Sequence, residues 1–345
     1  MVKKKTTKPG PKTKKQKAKA KKIEPWDITI YDMKTLSGIL NTLDQFRDKY
    51  KSLTKRELYK YFPEMIQLDC IYEELKVLNE MIGMQDIKQQ IIDQLLLNIQ
   101  EMTDIEMLHT VIFGPPGVGK TCIAHIMASI YSSLGWLSVG NVYAPKRNDL
   151  VGRYLGETAD KTQKYLEACK GSVCFIDEVY SLGGNDDGKD SFAKEAVDTL
   201  NQFLSEEAHD FVCIIAGYED SVKKCFFNQN AGLDRRFPWK FTINKYNSKE
   251  LEKIFRLQVT NKNWKLEEGL SLQEYFKDVK YFTGNGGDTM NLFGRCIIAH
   301  STRVFGQSHD VKKILTKKDM QEGYKNYVKI KQPTKVDLPP SNMYI

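Results

Sequence analysis

The sequence predicts an α/β fold: a five-stranded parallel sheet covered by helices, followed by a small helical domain and preceded by extra N-terminal helices. Three observations carry this expectation. Five short β-branched runs, HTVIFG, SVGNVYA, SVCFID, DFVCIIAG and KFTI, alternate with longer helical stretches between Leu108 and Ile243. Short strands separated by helices are how a parallel sheet covered on both faces reads. The glycine-rich run Gly114 to Thr121 joins the first of these strands to a helix, and from Asn247 to about Ile330 the periodicity is helical with no strand signal.

Taken in order, residues 1–24 are a Lys, Thr and Pro tract with almost nothing to bury, so ordering them has no compensating gain and disorder is expected. The chain of 345 residues has 52 basic and 44 acidic side chains, a net charge of +8. Eleven of the lysines fall in residues 1–22, which hold no acid, leaving 41 basic against 44 acidic side chains and a net −3 for the remainder. A basic nucleic-acid-binding fold is therefore not required, because such a domain would carry its cations in its folded part. The tract at residues 3–22 has no aromatic side chain, so its own expected contact is a nonspecific, salt-sensitive one to a polyanion, or solubilisation alone.

Residues 25–75 form an N-terminal helical region, with two or three helices expected before the first strand. Their signature is apolar spacing of three and four, as in Leu68, Ile71, Leu75 and Leu78, then Ile87, Ile91, Leu95 and Ile99. Residues 76–245 hold the sheet, 246–330 the small helical domain, and 331–345 a Pro-punctuated tail expected to be flexible. No run approaches the ~18 apolar residues of a membrane span, and no apolar segment follows the Lys-rich start as in a secretory signal. The expected location is intracellular, cytoplasmic or nuclear, and not secreted, with no membrane partner. Seven cysteines, an odd number without a C-x-x-C pair, read as reduced, buried thiols. The five histidines lack metal-ligand spacing and read as structural or solvated. The acidic loop with Asp186, Asp187 and Asp190 reads as solvated rather than cation-binding.

Two motifs carry chemistry. GPPGVGKT, comprising Gly114, Pro115, Pro116, Gly117, Val118, Gly119, Lys120 and Thr121, lies between the apolar strand TVIF and the helix CIAHIMASIY. This is the phosphate-loop pattern in its required strand, loop, helix setting. Glycines let backbone N–H groups turn inward onto phosphate oxygens, and the helix N-terminus adds partial positive charge. Lys120 is placed to reach the β and γ phosphates, and the Thr121 hydroxyl to ligate Mg²⁺. The second motif, SVCFIDE, is a buried strand ending in Asp177 and Glu178. Ligands of open α/β sheets bind at the C-terminal ends of strands. Asp177 suits Mg²⁺ held through water, and Glu178 suits polarising the attacking water. Both motifs together point to a nucleoside triphosphatase.

Finer text narrows this. LNEMIGMQDIKQQI (78–91), VIFGPPGVGKT (111–121), NDLVGRYLGETADKT (148–162), GSVCFIDEVYSL (171–182), KEAVDTLNQFL (194–204), DFVCIIAGYED (210–220) and NAGLDRRF (230–237) resemble successive blocks of the CbbX/CfxQ family of AAA+ ATPases, which includes the SpoVK-like proteins. The resemblance covers roughly residues 75–300. It implies an AAA+ module with a helical lid, ATP and Mg²⁺ as cofactors, assembly into a ring, expected as a homo-hexamer, and ATP-driven remodelling of a protein substrate that the residues do not identify. By the same resemblance Ile82 and Gly83 would pack on adenine. Tyr154 would be the aromatic pore-loop residue, and Arg236 the arginine finger reaching the neighbouring subunit's γ-phosphate. Arg235 stands where the family usually has Ser. At the end of VCIIAGY, where many AAA+ proteins place a polar Asn or Thr, this chain has Tyr218. Gly287 stands where the lid's nucleotide-sensing Arg is expected, with Arg295 two turns further along. The missing cation opens a second reading, a nucleotide-gated assembly scaffold with little turnover. A third is a nucleic-acid-associated ATPase recruited by the basic tail.

Overall fold

The computed structural model describes residues 32–102, 107–154, 156–182, 191–207, 209–230, 232–307 and 312–332. The Lys-rich tract, residues 333–345 of the C-terminal tail and the loop with Asp186, Asp187 and Asp190 lie outside the described residues, while Lys331, expected in the tail, ends a helix. Five strands form one parallel sheet: β1 (Thr110–Phe113), β2 (Val142–Tyr143), β3 (Val173–Ile176), β4 (Val212–Gly217) and β5 (Trp239–Thr242), in the order β2-β3-β4-β1-β5. All five overlap the expected runs, although β2 keeps only two residues of SVGNVYA and β5 begins one residue before KFTI, at Trp239.

Alternate strand residues serve two cores, as the strand's period of two requires. Ile112, Phe175, Ile214 and Phe241 face α1 (Leu36–Tyr50), α4 (Tyr72–Glu80), α5 (Gln85–Ile99) and α6 (Lys120–Ser133). Val111, Phe113, Ile176 and Ile215 face α8 (Glu157–Ala168) and α9 (Ser191–Glu206).

Among the described residues five helices, not two or three, precede β1. Between α1 and α4 stand α2 (Lys55–Tyr61) and α3 (Pro63–Cys70). Pro63 opens α3 at a position where its missing N–H costs nothing, while the Phe62 backbone departs from helix (φ −142°, ψ 56°). The boundary at 75/76 falls inside α4, and α1 buries Ile39, Leu43 and Phe46 in the same apolar cluster as the sheet. A second difference is in the C-terminal part. Its helices α12 (Ser248–Asn261), α14 (Asn285–Arg303) and α15 (Lys317–Lys331) are accompanied by a two-residue parallel pair, β6 (Lys265–Leu266) with β7 (Ile314–Leu315). Two residues give no periodicity to read.

All seven cysteines are free. Cys169, Cys174, Cys213 and Cys296 are buried and Cys225 half-buried, whereas Cys70 and Cys122 are exposed, contrary to the expectation of buried thiols. No His, Cys, Asp and Glu cluster among the described residues suits a metal ion, and none of their helices is long and apolar enough to cross a membrane. His300 is structural, its Nδ1 3.0 Å from Asp319 Oδ2 between α14 and α15.

His109 is also structural and sets a pH dependence. Its Nδ1 accepts from the Cys213 amide at 3.1 Å and its Nε2 lies 3.3 Å from the Leu204 carbonyl, the pattern of a neutral ring donating through Nε2. Burial pushes its pKa down to about 4, opposed only by the Leu204 bond. Because the folded value lies below the unfolded one near 6.5, the unfolded chain binds the proton first. Stability is then intact above about pH 6.5 and falls by about 3 kcal/mol as the pH drops to about 4. Urea denaturation at pH 7.0 and 4.5 should show this slope, and His109→Gln should lose much of it.

Candidate functional site

The candidate site lies along the C-terminal ends of β1, β4 and β3. The loop after β1 places Lys120 as the first residue of α6, with Gly117 and Gly119 at left-handed φ of 72° and 94°. An added Cβ at Gly117 would stand 2.2 Å from the Gly284 carbonyl oxygen, so close packing as well as φ selects glycine there, while at Gly119 φ alone does, the nearest atom being the movable Met84 Cε at 2.9 Å. Five successive carbonyls of this loop are occupied. Lys120 Nζ donates to Gly114 at 3.2 Å and Pro115 at 3.0 Å. Asn285 Nδ2 donates to Pro116 at 3.1 Å, the Gly286 amide to Gly117 at 2.9 Å, and the Tyr246 hydroxyl to Val118 at 2.7 Å. The amides of Gly117, Val118 and Gly119, by contrast, donate to no acceptor among the described residues. That is the polarity of an anion cradle, N–H groups open and C=O groups tied back.

Asp177 and Glu178 follow β3 and are exposed. Asp177 Oδ1 accepts the Glu178 amide at 2.9 Å, and Glu178 sits at φ 50°, a left-handed conformation that non-glycine residues adopt at a cost. Burial lowers the Lys120 pKa, while the charges of Asp177 and Glu178 act against that shift, which links the loop electrostatically to the acids. Thr121 is exposed on the first turn of α6. A hydroxyl and a carboxylate, both oxygen donors, fit the preference of Mg²⁺. Beside the acids, the Tyr180 hydroxyl is pushed up to about 12, by burial first and then by Glu178. Its ring is 6.4 Å from that of Tyr218, exposed at the end of β4.

Ile82 and Gly83 lie between α4 and α5 and are brought to the same region. Gly83, at φ 68°, lies against Glu250 and Tyr246: an added Cβ would stand 2.5 Å from Glu250 Oε1, which would have to move, and 3.4 Å from Tyr246 Cε1. Burial, then the Glu250 charge, holds the Tyr246 hydroxyl in its protonated, donating form.

Two expected site residues stand apart. Tyr154 is 70% exposed between α7 (Arg147–Leu150) and α8, its amide bonded to Glu157. Arg236 ends α11 (Leu233–Arg236), just before β5. Because Trp239 pairs with Thr110 and Thr242 with Phe113, Arg236 is at the end of the sheet opposite the loop and cannot serve the loop of its own chain. It is half-buried, donating to the Gly232 carbonyl at 2.9 Å and to Ser205 Oγ, whereas Arg235 is exposed. Tyr246, Asn285 and Glu250 were not singled out from sequence. A tyrosine and an acid at the start of a helix carry no motif, and Asn285 has no sequence signal of its own.

This sheet order and loop define a phosphate-loop ATPase of the AAA class, and the profile of the ATPase family associated with various cellular activities (AAA) matches residues 110–238. The chain belongs to the CbbX/CfxQ family within that class. It is 32% identical over 292 residues to a CfxQ homolog of Galdieria sulphuraria, covering 81% of this chain and 89% of the relative. It is 40% identical over 267 residues to a cfxQ-like protein of Acanthamoeba polyphaga mimivirus, covering 76% of this chain and 66% of that relative's length. Among solved structures, the RuvB Holliday junction branch migration motor of Thermotoga maritima shares the fold with a TM-score of 0.51 and 20% identity, over 72% of this chain and 71% of that one.

Proposed function

We propose that this protein is a Mg²⁺-dependent ATP hydrolase that assembles into a ring, most simply a homo-hexamer, and uses ATP turnover to remodel a protein partner. One observation carries the reading: Lys120, Asp177 and Glu178 share one end of the sheet, while Arg236 and Arg235 occupy the other. If either arginine reaches a γ-phosphate to add to the Lys120 charge, it must then be one bound by a neighbouring copy. Lys120 would exchange its contacts to Gly114 and Pro115 for phosphate oxygens. Thr121 and Asp177 would hold Mg²⁺, whose chemistry is to neutralise phosphate charge. Glu178 would take the proton of the attacking water, with Tyr180 beside it. Ile82 and Gly83 would face adenine, and Tyr154, exposed on its own connection, would contact the polypeptide in the ring channel. Residues 76–245 would form the nucleotide-binding unit and 246–330 its lid.

Two arginines are candidates for the trans contact. Arg236 would have to leave Gly232 and Ser205 to reach across, while Arg235 is already exposed. Light scattering with and without ATP on the Glu178→Gln protein tests the assembly. A several-fold larger particle with ATP is expected, and a monomer under both conditions sinks the ring.

A second reading is favoured by Gly287, where a Cβ would meet nothing within 4 Å, so the backbone there admits a side chain but the expected Arg is absent. In that reading ATP stabilises assembly and turnover is negligible. Steady-state hydrolysis by the wild type no faster than by Glu178→Gln would select it.

A further inference from the structure

We propose that Asn285 and Tyr246 are positioning residues of the phosphate loop, holding three consecutive peptide planes so that their N–H groups face the anion site. The inference rests on the reading that this loop binds the phosphates of ATP.

The argument starts from peptide planarity. In a trans peptide the carbonyl of one residue and the N–H of the next lie in one plane and point in opposite directions. The described chain has no cis bonds. Fixing the Pro116, Gly117 and Val118 carbonyls therefore fixes the N–H groups of Gly117, Val118 and Gly119. Those three carbonyls are held from outside the loop by Asn285 Nδ2, the Gly286 amide and the Tyr246 hydroxyl, and those three amides have no acceptor among the described residues. The holders are themselves connected. Asn285 Oδ1 accepts the Tyr246 amide at 3.2 Å, so one buried side chain bridges the chain entering α12 and the loop. Asn285 is 1% exposed and sits at φ 50°, a conformation Asn tolerates better than most residues. Its amide supplies both a donor and an acceptor, which no apolar residue and no ionised carboxylate could do.

Docking of the lid and formation of the cradle thus become one event. A phosphate that aligns the three amides also aligns the carbonyls that grip α14. This gives the lid a mechanical contact with the loop that does not need a cation at Gly287.

Two full-length variants test this by competition against a fluorescent ATP analogue, with unlabelled ATP and adenosine as probes. Tyr246→Phe deletes only the hydroxyl and keeps the ring, so folding is preserved. Asn285→Asp keeps the acceptor and the tolerance of left-handed φ but loses the donor to Pro116. Each should lower ATP affinity about fivefold or more for a lost buried hydrogen bond, with adenosine affinity within twofold of wild type. The ratio of ATP to adenosine affinity is the decisive readout, because general loosening of the lid weakens both ligands together. An unchanged ratio in Tyr246→Phe overturns the proposal. Failure of the wild type to bind ATP at all would instead defeat the reading on which it rests.

Discussion

Glu178→Gln is expected to lower steady-state ATP hydrolysis by about 10²–10⁴-fold, the usual effect of removing a positioned general base, while ATP still binds. The substitution keeps shape and removes the carboxylate that would accept the proton from water at that point. Asp177 is placed differently: its Oδ1 accepts the Glu178 amide, and it stands one residue closer to the sheet, where it would serve Mg²⁺. The left-handed backbone at Glu178 turns the chain sharply after β3, directing it into the short 3-10 turn Val179–Leu182 that carries Tyr180. A pH profile sharpens the test. With Tyr180 pushed up to about 12, its phenol remains a donor throughout the neutral range, so the wild-type rate should not titrate through Tyr180 below pH 9. Retained ATP affinity with lost turnover is the expected pair of results. Loss of affinity as well would mean that Glu178 shapes the binding site and does not act in the chemical step.

The sheet and both phosphate-site motifs were legible in the sequence because each rests on short-range rules. β-branched runs between turn residues mark strands, and a glycine pattern of fixed spacing marks a loop whose backbone must curl around an anion. The N-terminal helices were undercounted for an instructive reason. Leu68, Ile71, Leu75 and Leu78 keep helical spacing across a break, since Ile71 leaves the helix (φ −106°, ψ 17°) without disturbing which face is apolar. Periodicity reports the face that is buried and is blind to such a kink. The exposed Cys122 has a related cause, since it lies in an apolar run but on the first turn of α6, facing away from the sheet. The holders of the loop were illegible for a different reason. Tyr246 and Asn285 lie 128 and 169 residues from the carbonyls they bind, and nothing local distinguishes them. Arg236 illustrates the same limit from the other side, because its position before β5 was readable but its bonds to Gly232 and Ser205 were not.

Gly117→Ala should be strongly damaging, because its Cβ makes the shortest contact of any described glycine and strikes the seam between loop and lid. The new Cβ would stand 2.2 Å from the Gly284 carbonyl oxygen and 3.0 Å from the Gly287 nitrogen. Both are backbone atoms at the start of α14, so no side chain can swing away, and the gap falls more than about 1 Å short of ordinary contact. At φ 72°, alanine also carries a conformational cost of about 1–2 kcal/mol. Relieving the collision means moving α14 outward, which stretches the Gly286-to-Gly117 and Asn285-to-Pro116 bonds together; at about 1 kcal/mol each these add roughly 2 kcal/mol. Gly135→Ala is the matching control. It has nearly the same φ, 76°, and nothing within 4 Å of its Cβ, so it bears the conformational cost alone. Chemical denaturation should place Gly117→Ala about 2 kcal/mol below the control, and only Gly117→Ala should lose ATP affinity, by tenfold or more for the disturbed cradle. Equal stability and equal affinity in the two variants would show that the lid yields freely, and that the loop's carbonyls do not depend on it for their orientation.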